Sequence, residues 1–109
     1  MSDPESPADA LVALHFAFPA AIEEEMIDFC HAQAALFSGF TMLDADGYGE
    51  AASLRTTVET VLGRARRKLL VTVLPQQRVE AALAALRAAL PSPEIVYWAL
   101  PVARFGRLS

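Results

Sequence analysis

The apolar positions of this chain switch between a period of two and the helical period of about 3.6 residues, and the switches outline its elements. Ala10 to Phe18 alternates, with Val12, Leu14, Phe16 and Phe18 on one face and Leu11, Ala13, His15 and Ala17 on the other, which predicts a strand. Pro19 to Ala34 carries Ile22, Met26, Phe29 and Cys30 at helical spacing. Phe37 to Leu43 reads as a second strand, with Gly39 inside it as a bulge or a point of close approach. Asp44 to Gly49 has turn chemistry, two Asp and two Gly within six residues. Ser53 to Leu62 is predicted as a short helix with Thr56 and Glu59 at capping-box spacing, ended by Gly63. A basic stretch from Arg64 leads into a third strand, Leu69 to Leu74, apolar on both faces. Pro75 to Leu90 is a second helix with Val79, Leu83, Leu86 and Leu90 on one stripe, stopped by Pro91 and Pro93. Glu94 to Leu100 is the fourth strand; Pro101 breaks it, and Val102 to Leu108 is expected as a short extra edge strand. Two strands thus run into a proline, Pro19 and Pro75, and proline suits the first turn of a helix.

The order β-α-β-β-α-β predicts an α+β, ferredoxin-like domain over residues 10–109, after a loose tail at residues 1–9. Right-handed crossovers place both helices on one face of a four-stranded antiparallel sheet. The other face is then bare. A solvated face is expected to be polar, yet the third and fourth strands and much of the first are apolar on both sides. Such a face invites aggregation unless another copy covers it, so a closed homo-oligomer is expected.

Charge adds a polarity along the chain. The net charge is −4, but every Lys and Arg lies between Arg55 and Arg107, and ten of the thirteen acids lie in the first fifty residues. This segregation fits an anion site, or a surface where one copy meets another. At 109 residues, 54% hydrophobic and 20% charged, the chain can build a core. No apolar run approaches the ~20 residues of a membrane span, and no basic N-terminal leader is present, so a cytoplasmic protein is expected. A single cysteine, Cys30, excludes an internal disulfide and fits a reducing compartment.

Three short stretches carry a resemblance to a known family: Gly39-Phe40-Thr41, Gly63-Arg64-Ala65-Arg66-Arg67, and Tyr97-Trp98 followed by Pro101-Val102. Together with the layout over residues 10–108, they resemble the PII-like signalling superfamily, which includes the nitrogen-regulatory PII proteins and the CutA divalent-cation tolerance proteins. The chain is similar to a small branch encoded beside heavy-metal efflux pumps. The resemblance implies a homotrimer with sheets facing inward, and small ligands bound in clefts between subunits. It also implies a loop between the second and third strands, here residues 44–67, that reaches a regulatory or membrane-transporter partner. The segment Leu74-Pro75-Gln76-Gln77 lacks the glycine-rich nucleotide loop of PII proteins, and Tyr48 matches the modified tyrosine of PII only in residue type. ATP binding, 2-oxoglutarate sensing and uridylylation are therefore not carried over, and no cofactor is assigned.

The densest basic cluster is Arg64, Arg66, Arg67 and Lys68, with Arg66 and Lys68 expected on one strand face and Arg67 on the other. Guanidinium forks match phosphate and carboxylate. Arg64, Arg66 and Arg67, joined by Arg104 and Arg107 from the C-terminal segment, are the candidate inter-subunit anion site; the competing reading is solubility and salt bridges to a neighbour's acidic half. Asp44, Asp46, Tyr48 and Glu50 are the candidate partner-contacting residues. His15, His31 and Asp46 are weak metal candidates. Cys30 and His31 point about 100° apart on a helix, and Cys30 lies on the apolar stripe, which assigns it to the core. Asp44-Ala45-Asp46-Gly47 resembles a fragment of a calcium loop without the later ligands. Nucleic-acid binding is not expected: the third strand has no aromatic residue and the chain is acidic. No hydrolase, P-loop or zinc-protease motif is present, so no catalysis is expected. The function expected is a PII-like regulator of a partner protein; the alternatives are a divalent-cation binder of CutA type and a non-sensing accessory oligomer.

Overall fold

The computed structural model describes residues 10–48 and 65–108. The expected helix over 53–62 and the tail at 1–9 fall outside them. Strand β1 is Leu11–Pro19, followed by a 3-10 turn at Ala20–Ile22 and helix α1 at Glu23–Ala32. Strands β2 and β3 are Thr41–Gly47 and Ala65–Pro75. A second 3-10 turn, Gln76–Arg78, leads into helix α2 at Val79–Ala89, and β4 is Val96–Val102. The sheet order is β2-β3-β1-β4 with antiparallel neighbours throughout, which is the ferredoxin-like arrangement.

The two prolines do the same job at the two strand ends, but not the one the sequence predicts. Pro19 (φ −62°, ψ 138°) and Pro75 (φ −62°, ψ 140°) are extended and close their strands. Each then caps a 3-10 turn, and the α-helix starts only four residues later. The ring's fixed φ is compatible with an extended residue, and the absent N–H is not needed at a strand end. Beside Pro75, the Gln76 N–H donates to the Ala10 carbonyl at 2.8 Å, which ties the turn to the start of β1.

Strand alternation decides the core. Val12, Leu14, Phe16 and Phe18 of β1 and Leu70 and Leu74 of β3 are buried beneath Met26, Phe29 and Cys30 of α1 and Ala82, Leu83 and Leu86 of α2. Thr72 shares this buried side of β3, so the strand is not wholly apolar there; its hydroxyl donates to the Gly39 carbonyl at 2.6 Å. Gly39 lies outside β2, and a Cβ there would meet nothing within 4 Å, so it is neither a bulge nor a close approach.

β2 is displaced four residues from its expected place. Two backbone bonds from Leu36 and Phe37 to the Gln33 carbonyl, each 2.9 Å, wind the chain down from α1. Phe37 is then a core residue and not a strand residue, packing edge-on against Phe29 with ring centroids 5.4 Å apart. At the other end, Asp44 and Asp46 do not turn. They stand opposite Lys68 and Arg66 in the ladder, and opposite charges across a strand pair stabilise the extension. β4 also differs: Pro101 lies within it, opposite Val12. β4 is an edge strand, where a missing N–H is tolerated. Residues 103–108 form no strand, so the expected extra edge strand is absent among the described residues.

The face away from the helices carries Leu11, Ala13, His15 and Ala17 of β1, Leu43 and Ala45 of β2, Leu69, Val71 and Val73 of β3, and Val96, Trp98 and Leu100 of β4. Leu43 is 46%, Trp98 40% and Leu100 52% exposed. The bare apolar face that the alternation predicts is therefore present. No described helix is long and apolar enough to cross a membrane.

Candidate ligand site at the basic end of the sheet

The start of β3, the end of β2 and the end of β1 meet where Arg67 stands between Ala45 and Pro19. Alternation sends Arg66 and Lys68 to the helix side and Arg67 to the open side, as the sequence predicts. On the helix side the cations meet acids. Lys68 forms ion pairs with Asp44 and, at 3.1 Å, with Glu23 at the start of α1. The hydrogen bond from Lys68 holds the Asp44 carboxyl below its ordinary value, and the bonds to Asp44 and then Glu23 hold the Lys68 ammonium above its own. Arg66 stands opposite Asp46 in the ladder.

Arg67 is different. It is 5% exposed. Its Nη2 donates to the Glu94 carbonyl at 3.0 Å, a bond that ties the start of β3 to the segment before β4. Its Nη1 is buried and has no hydrogen-bond partner among the described residues. Burying a charged donor without a partner is costly, and the fold bears that cost at this nitrogen. Two cavities adjoin the residue. One, of about 300 Å³, is bordered by Ala20, Asp44, Asp46, Arg66 and Lys68 as well as Arg67. The other, of about 270 Å³, opens on the bare face beside Ala17, Leu69, Val96, Trp98 and Tyr48.

The remaining candidates are dispersed. Arg64 and Glu50 lie outside the described residues. Arg104 and Arg107 are exposed and follow β4. Val102 pairs with Leu11, which also pairs with Pro75, so β4 ends at the opposite end of the sheet from Arg67. Within one chain, therefore, the two arginine groups are not brought together. Asp44 and Asp46 belong to β2, not to the loop, while Tyr48 follows the strand and is 66% exposed.

The metal candidates are also apart. His15 sits on the open face, its ring stacked on Trp98 at 5.2 Å and its Nδ1 donating to the Ala13 carbonyl at 3.0 Å. His31 is in the last turn of α1 against Phe40, and Asp46 is in β2. No group of three His, Cys, Asp or Glu is placed to hold a metal ion among the described residues. Cys30 is buried in the core, as its position on the stripe predicts, and burial pushes its thiol up to about 11. Sequence reasoning did not single out Trp98, Ala17 or Ala45 as lining a site. The alternation that puts them on the face of Arg67 was available, but the register that sets them beside it was not.

A family model described as a protein of unknown function (DUF3240) matches residues 8–109. No curated protein matches the chain. Among solved structures, a DUF3240 family protein from Shewanella baltica OS155 is similar at a TM-score of 0.72 and 20% identity, covering 92% of this chain and 98% of that one. CPII, a nitrogen-regulatory PII-like protein from Thiomonas intermedia K12 solved with ADP, AMP and bicarbonate, is similar at 0.64 and 17%, covering 89% and 93%. CutA from Synechococcus elongatus PCC7942 is similar at 0.63 and 14%, covering 85% and 77%. At these identities the likeness is one of fold: the PII and CutA fold is the fold of this chain.

Proposed function

The chain belongs to the DUF3240 family of proteins of unknown function, and from that premise we propose that it is a PII-like, non-catalytic regulatory protein. In this reading it binds a small anionic ligand at the basic end of the sheet and acts on a partner protein through the segment joining β2 to β3. The observation that carries the reading is the placement of Arg66, Arg67 and Lys68 around one cavity at the root of that segment, with Arg67 bordering a second. A ligand held there favours one arrangement of the segment over another, which is a shift of population and needs no chemistry on the ligand. The bare apolar face supports a closed homo-oligomer, a trimer in the reading the PII-like fold invites. Arg104 and Arg107, which leave the far end of the sheet, then reach the basic end of a neighbouring copy. CPII was solved with ADP, AMP and bicarbonate, so these ligands are the first to try.

Calorimetry on the full chain against ATP, ADP, AMP and bicarbonate tests this. Saturable binding to at least one is expected, weakened by Arg66→Ala and Arg104→Ala without a change of oligomer mass. The same titrations with Cu²⁺, Zn²⁺ and Ni²⁺ test the divalent-cation alternative, and silence in every titration overturns the sensing reading in favour of an accessory oligomer.

A further inference from the structure

An ionisable side chain sits in the middle of the bare face. His15 is the fifth of nine residues in β1, an inner strand, and stands opposite Val71 of β3 and Trp98 of β4. Its ring stacks on the Trp98 indole at 5.2 Å with an interplanar angle of 10°, and its Nδ1 donates to the Ala13 carbonyl at 3.0 Å. A carbonyl only accepts, so Nε2 of the neutral ring carries no proton. Its neighbours on the face are Ala13, Ala17, Leu69, Val73 and Leu100. Charge is scarce there. Among the described strand positions of that face, the other charged side chain is Arg67, four residues along β3 from Val71, with Nη2 used on the carbonyl of Glu94, which precedes β4. No acid occupies a ladder position on the face: Asp44 and Asp46 stand on the helix side of β2, opposite Lys68 and Arg66. Asp46 also borders the cavity beside Ala17 and Trp98, as Tyr48 does, but its ladder partner is Arg66.

We propose that His15 is a pH switch for self-association: with a neutral imidazole the bare faces of copies of this chain close on one another, and with an imidazolium they part. The proposal rests on the homo-oligomer reading above and adds its regulation. The occupant of the face is a second copy on grounds of area and of charge. Four strands of at least seven residues, at about 4.8 Å between strands and about 3.3 Å per residue, give a projected face of roughly 450 Å² per copy. Two such faces bury on the order of the 1,000 Å² that a specific interface needs. A nearly uncharged face is also matched by another of its own kind. Any copy that covers the face covers its middle, where His15 lies. The covering face brings a second His15 and Arg67, and no acid at its ladder positions. An imidazolium enclosed there meets apolar side chains and like charges, and a buried charge without a counter-charge is costly. In the separate copy the ring is half-buried, so water reaches it and solvates the same charge. The stack on Trp98 is internal to each copy and favours neither state. Acid therefore favours the separated copies, and an imidazole ordinarily takes up its proton between pH 8 and 5.

Light scattering on the full chain at micromolar concentration reads the switch. An oligomer is expected at pH 8 and the mass of the single chain at pH 5. His15→Phe should hold the oligomer mass at both. His31→Gln removes the chain's other histidine, in the last turn of α1 and off the bare face, and should dissociate as the wild type does. The Asp44 carboxyl is held below 3.8 and stays ionised at pH 5, so its pair with Lys68 does not enter. Trp98 is the one tryptophan of the chain and lies against the titrating ring. Its emission should change with the same midpoint as the mass, and that change should vanish in His15→Phe. If His15→Phe does not give a folded oligomer at pH 8, as judged by circular dichroism and mass, His15→Gln decides in its place. A wild type equally assembled at pH 8 and pH 5, or dissociation at pH 5 that persists in the His15 variant, overturns the switch and leaves the homo-oligomer standing. A wild type that is monomeric at pH 8 overturns both.

Discussion

Thr72 and Gly39 show how a single contact is made and what it is worth. The Thr72 hydroxyl sits on the buried side of β3 and satisfies the Gly39 carbonyl, which belongs to the stretch that leads into β2. Thr72→Val keeps the shape and strands that carbonyl, so a loss of about 1–3 kcal/mol in chemical denaturation is expected. Gly39→Ala, with open space at its Cβ, should change stability by less than ~0.5 kcal/mol. If Gly39→Ala costs more than Thr72→Val, the contact has been misjudged. Cys30 offers a second check. Its thiol is buried and raised to about 11, so little thiolate forms near neutrality. Labelling by a thiol reagent at pH 8 should be slow in the native protein and fast in denaturant; fast native labelling would contradict a core position. The assignment of Cys30 to the core was legible from helical spacing alone. The role of Thr72 was not, because its acceptor lies 33 residues away.

At the scale of elements, the end of β2 depends on charge. Asp44 pairs with Lys68, which also holds Glu23 of α1, so one lysine links β2, β3 and the helix. The Asp44 carboxyl lies below its ordinary value of 3.8. Its contribution is therefore complete above that value and is lost as pH falls through the lower, folded value. The Lys68 ammonium lies above its ordinary value of 10.5. Its contribution is complete below that value and is lost as pH rises through the higher, folded one. Thermal melts should show a plateau across neutral pH with losses at both extremes, and Lys68→Gln should flatten the acid limb. The pair is accessible, so the wild-type advantage should also shrink at high salt. An acid limb unchanged in Lys68→Gln would detach Asp44 from this role. Two Asp and two Gly in six residues read locally as a turn. Only the cations opposite Asp44 and Asp46, supplied by β3, hold those two in the strand.

The whole molecule is governed by its bare face. Leu43, Trp98 and Leu100 are each about half exposed on a sheet face with few charges beyond the partly hidden Arg67. Leu100→Glu, on edge strand β4, should reduce the mass seen by light scattering at micromolar concentration while circular dichroism stays native. A wild type that is monomeric under those conditions would remove the face from any role in assembly. His15 stacked on Trp98 lies within the same face, so a covering copy would enclose both.

The sequence by itself determined which side of each strand is apolar, which residues of the helices look inward, the α+β order, and the separation of Arg67 from Arg66 and Lys68. These are consequences of period two and period 3.6, and such periods are local properties of the chain. Tertiary structure alone decided the extent and register of β2, the passage of β4 through Pro101, the loss of the extra edge strand, and the distance between Arg67 and the Arg104–Arg107 segment. Each of these depends on which strand lies beside which, and at what offset. It decided the cavity as well: alternation placed Ala17, Ala45, Trp98 and Arg67 on one face, but only the pairing of four strands brought them together around one cavity.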